Sequence, residues 1–185
     1  MGVMRKSIPI ILILFFASFQ LIFPQADLLN ARVRGLSIKN SDEFVTVSFK
    51  ITGAFTEEII EKIHSGIEIS FKHAIKIYKK NPVFFYRRTI VERIILTTVE
   101  YDTLKKQYTL RKQIDEDVGE TMLTDNLEEV ERWMTEINHF KVGKVSRMKG
   151  KKNYFLKVRT SLAPNFLLFF IPYDYSASKE RELVF

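Results

Sequence analysis

The clearest pattern in the chain is an alternation of apolar and polar side chains over residues 67–77. A repeat of two residues is typical of a β-strand with one face in the core and the other at the surface. The side chains predicted to be buried are Ile69, Phe71, Ile75 and Ile77, and those predicted to face solvent or a rim are Lys72 and Lys76.

Four further segments have a strand-like composition or alternation, namely residues 45–51, 83–99, 104–114 and 154–162. The second of these is long, and its alternation shifts phase near Ile94 and Ile95, which indicates a bend or a bulge. Asn81 and Pro82 break the chain before it. The mature chain is therefore predicted to be rich in strands.

Two short helices interrupt the strands. The first is predicted to begin after Thr56, a favourable N-cap residue, and to end at Gly66. The second is predicted from Asp125 and Glu128, which have the spacing of a capping box. Its apolar stripe has the helical spacing and consists of Leu127, Val130, Met134 and Ile137.

The resulting order of elements is β-β-α-β-β-β-α-β-β. This order predicts an α+β fold made mostly of antiparallel sheet, sandwich-like or strongly curved, with the two helices packed on it. A hydrophobic helix is expected to precede this fold at the N-terminus.

The N-terminal 26 residues have the features of a targeting segment. Arg5 and Lys6 precede an apolar run over residues 8–23 that contains no charge. This pattern predicts a signal peptide, with cleavage after Ala26, or a short membrane anchor if the segment is retained. Residues 27–185 are then a single exported domain, in the periplasm or envelope, either free or anchored to the inner membrane.

Charge and cysteine content narrow the range of functions. The chain has no cysteine, which excludes disulfides, thiolate metal sites and cysteine nucleophiles. Removing residues 1–26 takes away two of the 29 basic residues and none of the 22 acidic ones, so the net charge falls from +7 to +5. The basic clusters are Arg87-Arg88, Lys105-Lys106, Arg111-Lys112 and residues 141–152. We interpret them as solvated strand edges, and we expect no nucleic-acid partner.

Two segments of the chain match the pattern of a known family. The more specific one reads Tyr101-Asp102-x-Leu104-x-x-Gln107-Tyr108, and the second reads Tyr154-Phe-Leu-x-Val-Arg159. With these segments, residues 31–162 resemble a bacterial family named for a domain of unknown function, DUF4390. The resemblance implies an exported protein with a single domain. It implies no known reaction and no catalytic residue.

Candidate chemistry is sparse. The sharpest polar and aromatic cluster consists of Tyr101, Asp102, Gln107 and Tyr108, which we consider as a binding site. The alternative is that Asp102 only caps its own turn. His73 falls on the apolar face of its strand and is predicted to be a core residue. We predict no catalytic residue, no metal site and no cofactor.

The segment after Pro164 contains six consecutive apolar residues, 166–171, followed by Pro172. These side chains either fold back to close one end of the core or form an exposed loop that docks on a membrane or a partner. For the second alternative the candidate residues are Phe166, Phe169, Phe170 and Tyr173.

Two functions from different classes follow from these observations. The first is a non-catalytic binding or interaction module of the cell envelope, with strand edges available for β-augmentation and an envelope protein or lipid as its partner. The second is a carrier of a lipid or another hydrophobic ligand, held in a pocket between sheet and helices.

Overall fold

The seven strands of the predicted order are present, and two more join them. The computed structural model describes residues 31–41, 43–81, 86–148, 150, 152–163 and 176–185. Its strands are β1 (Arg32–Asn40), β2 (Phe44–Thr52), β3 (Ile69–Lys80), β4 (Arg87–Asp102), β5 (Gln107–Ile114), β6 (Asp117–Thr124), β7 (Glu136–Lys144), β8 (Tyr154–Leu162) and β9 (Ser176–Glu182). Its helices are α1 (Glu57–His64) and α2 (Leu127–Thr135), and a 3-10 turn spans Val145–Arg147.

The strands form two antiparallel sheets. The small sheet has the order β1-β2-β7, and the large sheet has the order β6-β5-β4-β3-β8-β9. Their inner faces meet, since the ring of Phe49 in β2 lies 5.9 Å from the ring of His73 in β3. The predicted α+β class, mostly antiparallel with two helices, is confirmed. The hydrophobic helix predicted before it lies outside the described residues.

The alternation over β3 is confirmed residue by residue. All four apolar side chains predicted to be inside are at most 3% exposed. Lys72 is exposed, and Lys76 is half-exposed with its ammonium 2.8 Å from the carboxylate of Glu92. The alternation predicts which side chains are buried because one face of β3 packs against the small sheet and the helices, while Lys72 and Lys76 lie on the other face.

The predicted order of elements was incomplete. It lacked β6 and β9, so the observed order is β-β-α-β-β-β-β-α-β-β-β. Both are edge strands of the large sheet, and edge strands need only one well-packed face, which weakens their signal in the sequence. The bulge in β4 was also misplaced. The pairing of β3 with β4 shifts at Ile90, between the pairs Ile77 with Val91 and Tyr78 with Thr89.

The start of α1 is as predicted, but that of α2 is not. The Thr56 hydroxyl accepts a hydrogen bond from the Ile59 backbone N–H at 3.4 Å. In α2 the cap is Asn126, whose side chain accepts from the Glu128 N–H at 2.8 Å. The capping box at Asp125 was wrong because the chain is still turning there. Of the predicted stripe, Val130 and Met134 are buried in α2, Leu127 is half-buried, and Ile137 is buried but belongs to β7.

Candidate functional site

The predicted aromatic pair is brought together at one end of the large sheet. The rings of Tyr101 and Tyr108 face each other across β4 and β5 with 4.7 Å between their centroids. The sequence interpretation missed the third member, His64 at the end of α1, whose Nε2 lies 2.6 Å from the Tyr108 hydroxyl. Tyr108 is buried, and burial raises the pKa of its hydroxyl.

The polar members of this predicted site have structural partners. Asp102 Oδ1 accepts the backbone N–H groups of Leu104 and Lys105, each at 3.0 Å. The hydrogen bond from Lys105 N–H is the main reason that the pKa of Asp102 lies below its usual value. Gln107 is the cross-strand neighbour of Asp102 and is half-buried. These contacts explain the segment as a closed hairpin turn, which is the alternative stated for Asp102.

His73 is a core residue, as predicted. Its Nε2 donates to the Met134 carbonyl at 3.1 Å, so that Nδ1 is the acceptor for the Thr160 hydroxyl at 2.9 Å. Both ring nitrogens of the neutral imidazole are thus used, and the ring is fully buried. Burial lowers the pKa of His73 to about 4.

The four residues predicted to dock on a membrane or partner, namely Phe166, Phe169, Phe170 and Tyr173, lie outside the described residues. So does the predicted cleavage point after Ala26.

A cleft that the sequence did not reveal lies beside β7 and has a volume of about 790 Å³. Its wall includes eight consecutive residues, 137–144. Consecutive side chains of a strand alternate between its faces, so only the edge of a strand brings all of them to one wall. β7 is the outer strand of the small sheet, and among the described strands it pairs only with β2. The edge of β7 therefore borders the cleft.

The floor of the cleft is the inner face of the large sheet. Its apolar side chains on β4 and β5 are Ile90, Val91, Ile95 and Ile114. The two sheets approach each other closely at Gly143, where an added Cβ would lie 2.9 Å from a methyl group of Val91. A side chain at position 143 would require Val91 or the backbone of β7 to shift, so this glycine allows β7 and β4 to lie close together beside the cleft.

Cations outnumber acids around the cleft. The basic residues are Arg93, Lys112, Lys141, Lys144 and Arg147, and the acidic residues are Glu92 and Glu120. Several cations lie over aromatic rings: Lys141 Nζ is 5.1 Å and Lys144 Nζ 5.8 Å from the ring centre of Phe44. Such contacts hold a charge near an apolar surface while leaving it accessible to an anion.

The cleft continues towards α2. A smaller hollow of about 300 Å³ shares Lys112 and Asn138 with it. The Lys112 ammonium lies 4.3 Å from the ring centre of Trp133, and burial lowers the pKa of Lys112. Within the described part of the chain, the buried Trp133 indole N–H has no hydrogen-bond acceptor. A ligand oxygen would satisfy this donor.

The described residues contain no cluster of three or more histidine, aspartate or glutamate side chains placed to hold a metal ion. Within the same residues, every helix is too short or too polar to cross a bilayer.

Fold and cleft together define a class: a two-sheet α+β protein with a basic cleft along the edge of β7 that no described strand covers. The chain belongs to the DUF4390 family, a domain of unknown function, whose model matches residues 29–167. The resemblance stated from the sequence is thereby confirmed. No curated protein and no solved structure gives a significant match.

Proposed function

We propose that this chain is a non-catalytic interaction module of the bacterial cell envelope, and that it binds an extended, acidic protein segment as an added strand along β7. The observation that carries the proposal is the wall formed by residues 137–144, which is a strand edge open to the cleft. Adding a strand there would extend the small sheet over the part of the inner face of the large sheet that no described element covers.

The lining of the cleft defines the ligand. Side chains of an added strand alternate between two faces, so one set would contact the apolar floor at the half-buried Ile90 and Ile114 and the other would point outward. The excess of cations favours carboxylates over ammonium groups. A segment that alternates aliphatic and acidic residues has both properties.

The test uses a short synthetic peptide of alternating valine and glutamate. Binding to the full chain is followed by fluorescence anisotropy, and amide hydrogen exchange is measured over residues 137–144. We expect saturable binding that weakens with added salt, together with slower exchange in β7, because the free edge becomes hydrogen-bonded.

Two matched peptides control the experiment. In one, lysine replaces glutamate, which keeps the strand pattern and reverses the charge. In the other, alternate backbone nitrogens are methylated, which keeps the side chains and removes hydrogen bonds to an edge. Both are expected to lose binding. Equal binding by all three peptides, or unchanged exchange in β7, would refute strand addition.

A second candidate function is the carriage of an anionic lipid in the same cleft. The aliphatic floor beneath a cationic rim supports it, since an acyl chain and a phosphate would match these two parts. Mass spectrometry of the native protein distinguishes the two functions. Co-purified lipid that the valine–glutamate peptide displaces would favour the carrier.

A further inference from the structure

We propose that the end of the sandwich at which β1 begins faces a phospholipid bilayer, with the β4–β5 turn at the bilayer surface. This inference rests on the envelope location in the proposed function but not on the peptide-binding cleft. Two features, far apart in the sequence, lie at this membrane-proximal end.

The first feature is the point at which the N-terminal segment joins the fold. Arg32, the first residue of β1, pairs with Thr52, the last residue of β2. Three residues further on, the ring of Phe55 packs against the ring of Phe71 at 5.9 Å, near the start of β3. The beginnings of β1 and β3 therefore lie at the same end of the sandwich.

The second feature is the turn between β4 and β5. The start of β3 pairs with the end of β4 through Ile69 and Val99, so the turn extends from the same end. Its side chain Leu104 is 93% exposed, and Lys105 and Lys106 beside it are exposed as well. An aliphatic side chain flanked by two lysines suits a bilayer surface, because leucine enters the acyl boundary while the ammonium groups contact phosphates.

Chain length strengthens the argument. Residues 24–31 join the apolar run of residues 8–23 to β1, and eight extended residues reach at most about 28 Å. A strand of 16 residues, such as β4, spans up to about 50 Å. An anchor inserted in a bilayer thus tethers the membrane-proximal end, while the 3-10 turn Val145–Arg147 lies at the opposite end beside Glu43.

The absence of native cysteine allows a direct test with a single reporter. Leu104→Cys places a thiol on the β4–β5 turn, and Ser146→Cys places one on the exposed 3-10 turn at the opposite end. Each full-length variant is labelled with an environment-sensitive fluorophore and reconstituted in phosphatidylethanolamine–phosphatidylglycerol vesicles that contain a nitroxide-labelled lipid. Both sites are exposed, so neither label disturbs the core.

The expected result is a blue shift and strong quenching at position 104, and neither effect at position 146. Equal signals at the two positions would overturn the proposed orientation, and so would a chain that does not sediment with vesicles. Neither result depends on peptide binding in the cleft, so failure of this inference and failure of the proposed function are distinguishable.

Discussion

The inner face of β5 passes from a closed half to an open half within a few residues. Tyr108 and Leu110 are 4% and 0% exposed, whereas Lys112 and Ile114, which continue the same face, line the cleft and are only half-buried. In the neighbouring strand β4, Thr97 is fully buried and Arg93 is half-buried, but Val91 beyond it is buried again where Gly143 of β7 approaches it.

The difference comes from the covering elements. The closed half lies under α1 and α2, through contacts such as that of His64 with Tyr108 and that of Met134 with His73. After Thr135 the chain enters β7, which pairs with β2. This pairing leaves the inner face of β5 around Lys112 and Ile114 uncovered by any other described strand. Where a covering helix ends therefore decides whether an inner face becomes core or cleft.

The largest expected effect contrasts the two halves on a single strand. Leu110→Asp places a carboxylate without a partner in the closed half and should lower the free energy of unfolding by about 3–5 kcal/mol. Ile114→Asp puts the same group in the cleft, where water reaches it, and should cost about 1 kcal/mol. Urea unfolding of both variants measures the difference. Similar losses would show that the cleft is as dry as the core.

A smaller effect concerns the pH dependence of the closed half. In the unfolded chain a histidine has a pKa near 6.5, whereas folded His73 has a pKa of about 4. Between these values the unfolded state binds a proton that the folded state does not, so stability is full above pH 6.5 and is lost as the pH falls towards 4. The total loss is about 3 kcal/mol.

The control for this prediction is His73→Gln, which removes the titrating group. The variant is expected to be less stable at neutral pH, because the imidazole hydrogen bonds are lost. Its stability should nevertheless depend less on pH between 7 and 5, where carboxylates contribute little. An unchanged slope in urea titrations would mean that His73 is not the group responsible.

These two halves also show how far the sequence could be interpreted. Alternation assigns a face, and it did so correctly for Ile75 and His73, because a strand repeats every two residues whatever covers it. The hydrogen bonds that Asp102 accepts within its own turn were likewise predictable, because they join residues that are neighbours in the sequence. Which elements cover a given face depends on contacts between residues that are far apart in the sequence. The sequence pattern around Lys112 is that of a solvated edge lysine, and only the positions of α2 and β7 in the fold show that it is half-buried. The cleft combines residues from five strands, and no spacing in the sequence reports that combination.

The smallest expected change in stability accompanies the largest expected change in binding. Lys141→Glu with Lys144→Glu reverses two charges on the cleft wall, and both side chains are exposed, so stability should change by no more than about 0.5 kcal/mol. Affinity for the valine–glutamate peptide should fall at least about tenfold, since attraction becomes repulsion at contact distance.

The control is Arg34→Glu with Lys39→Glu, which makes the same change in net charge on β1, the other edge of the small sheet, where both side chains are exposed. If binding depends on the β7 edge, this control keeps its affinity; if the peptide responds only to the net charge of the domain, both double variants lose it equally, and the cleft is not the binding site.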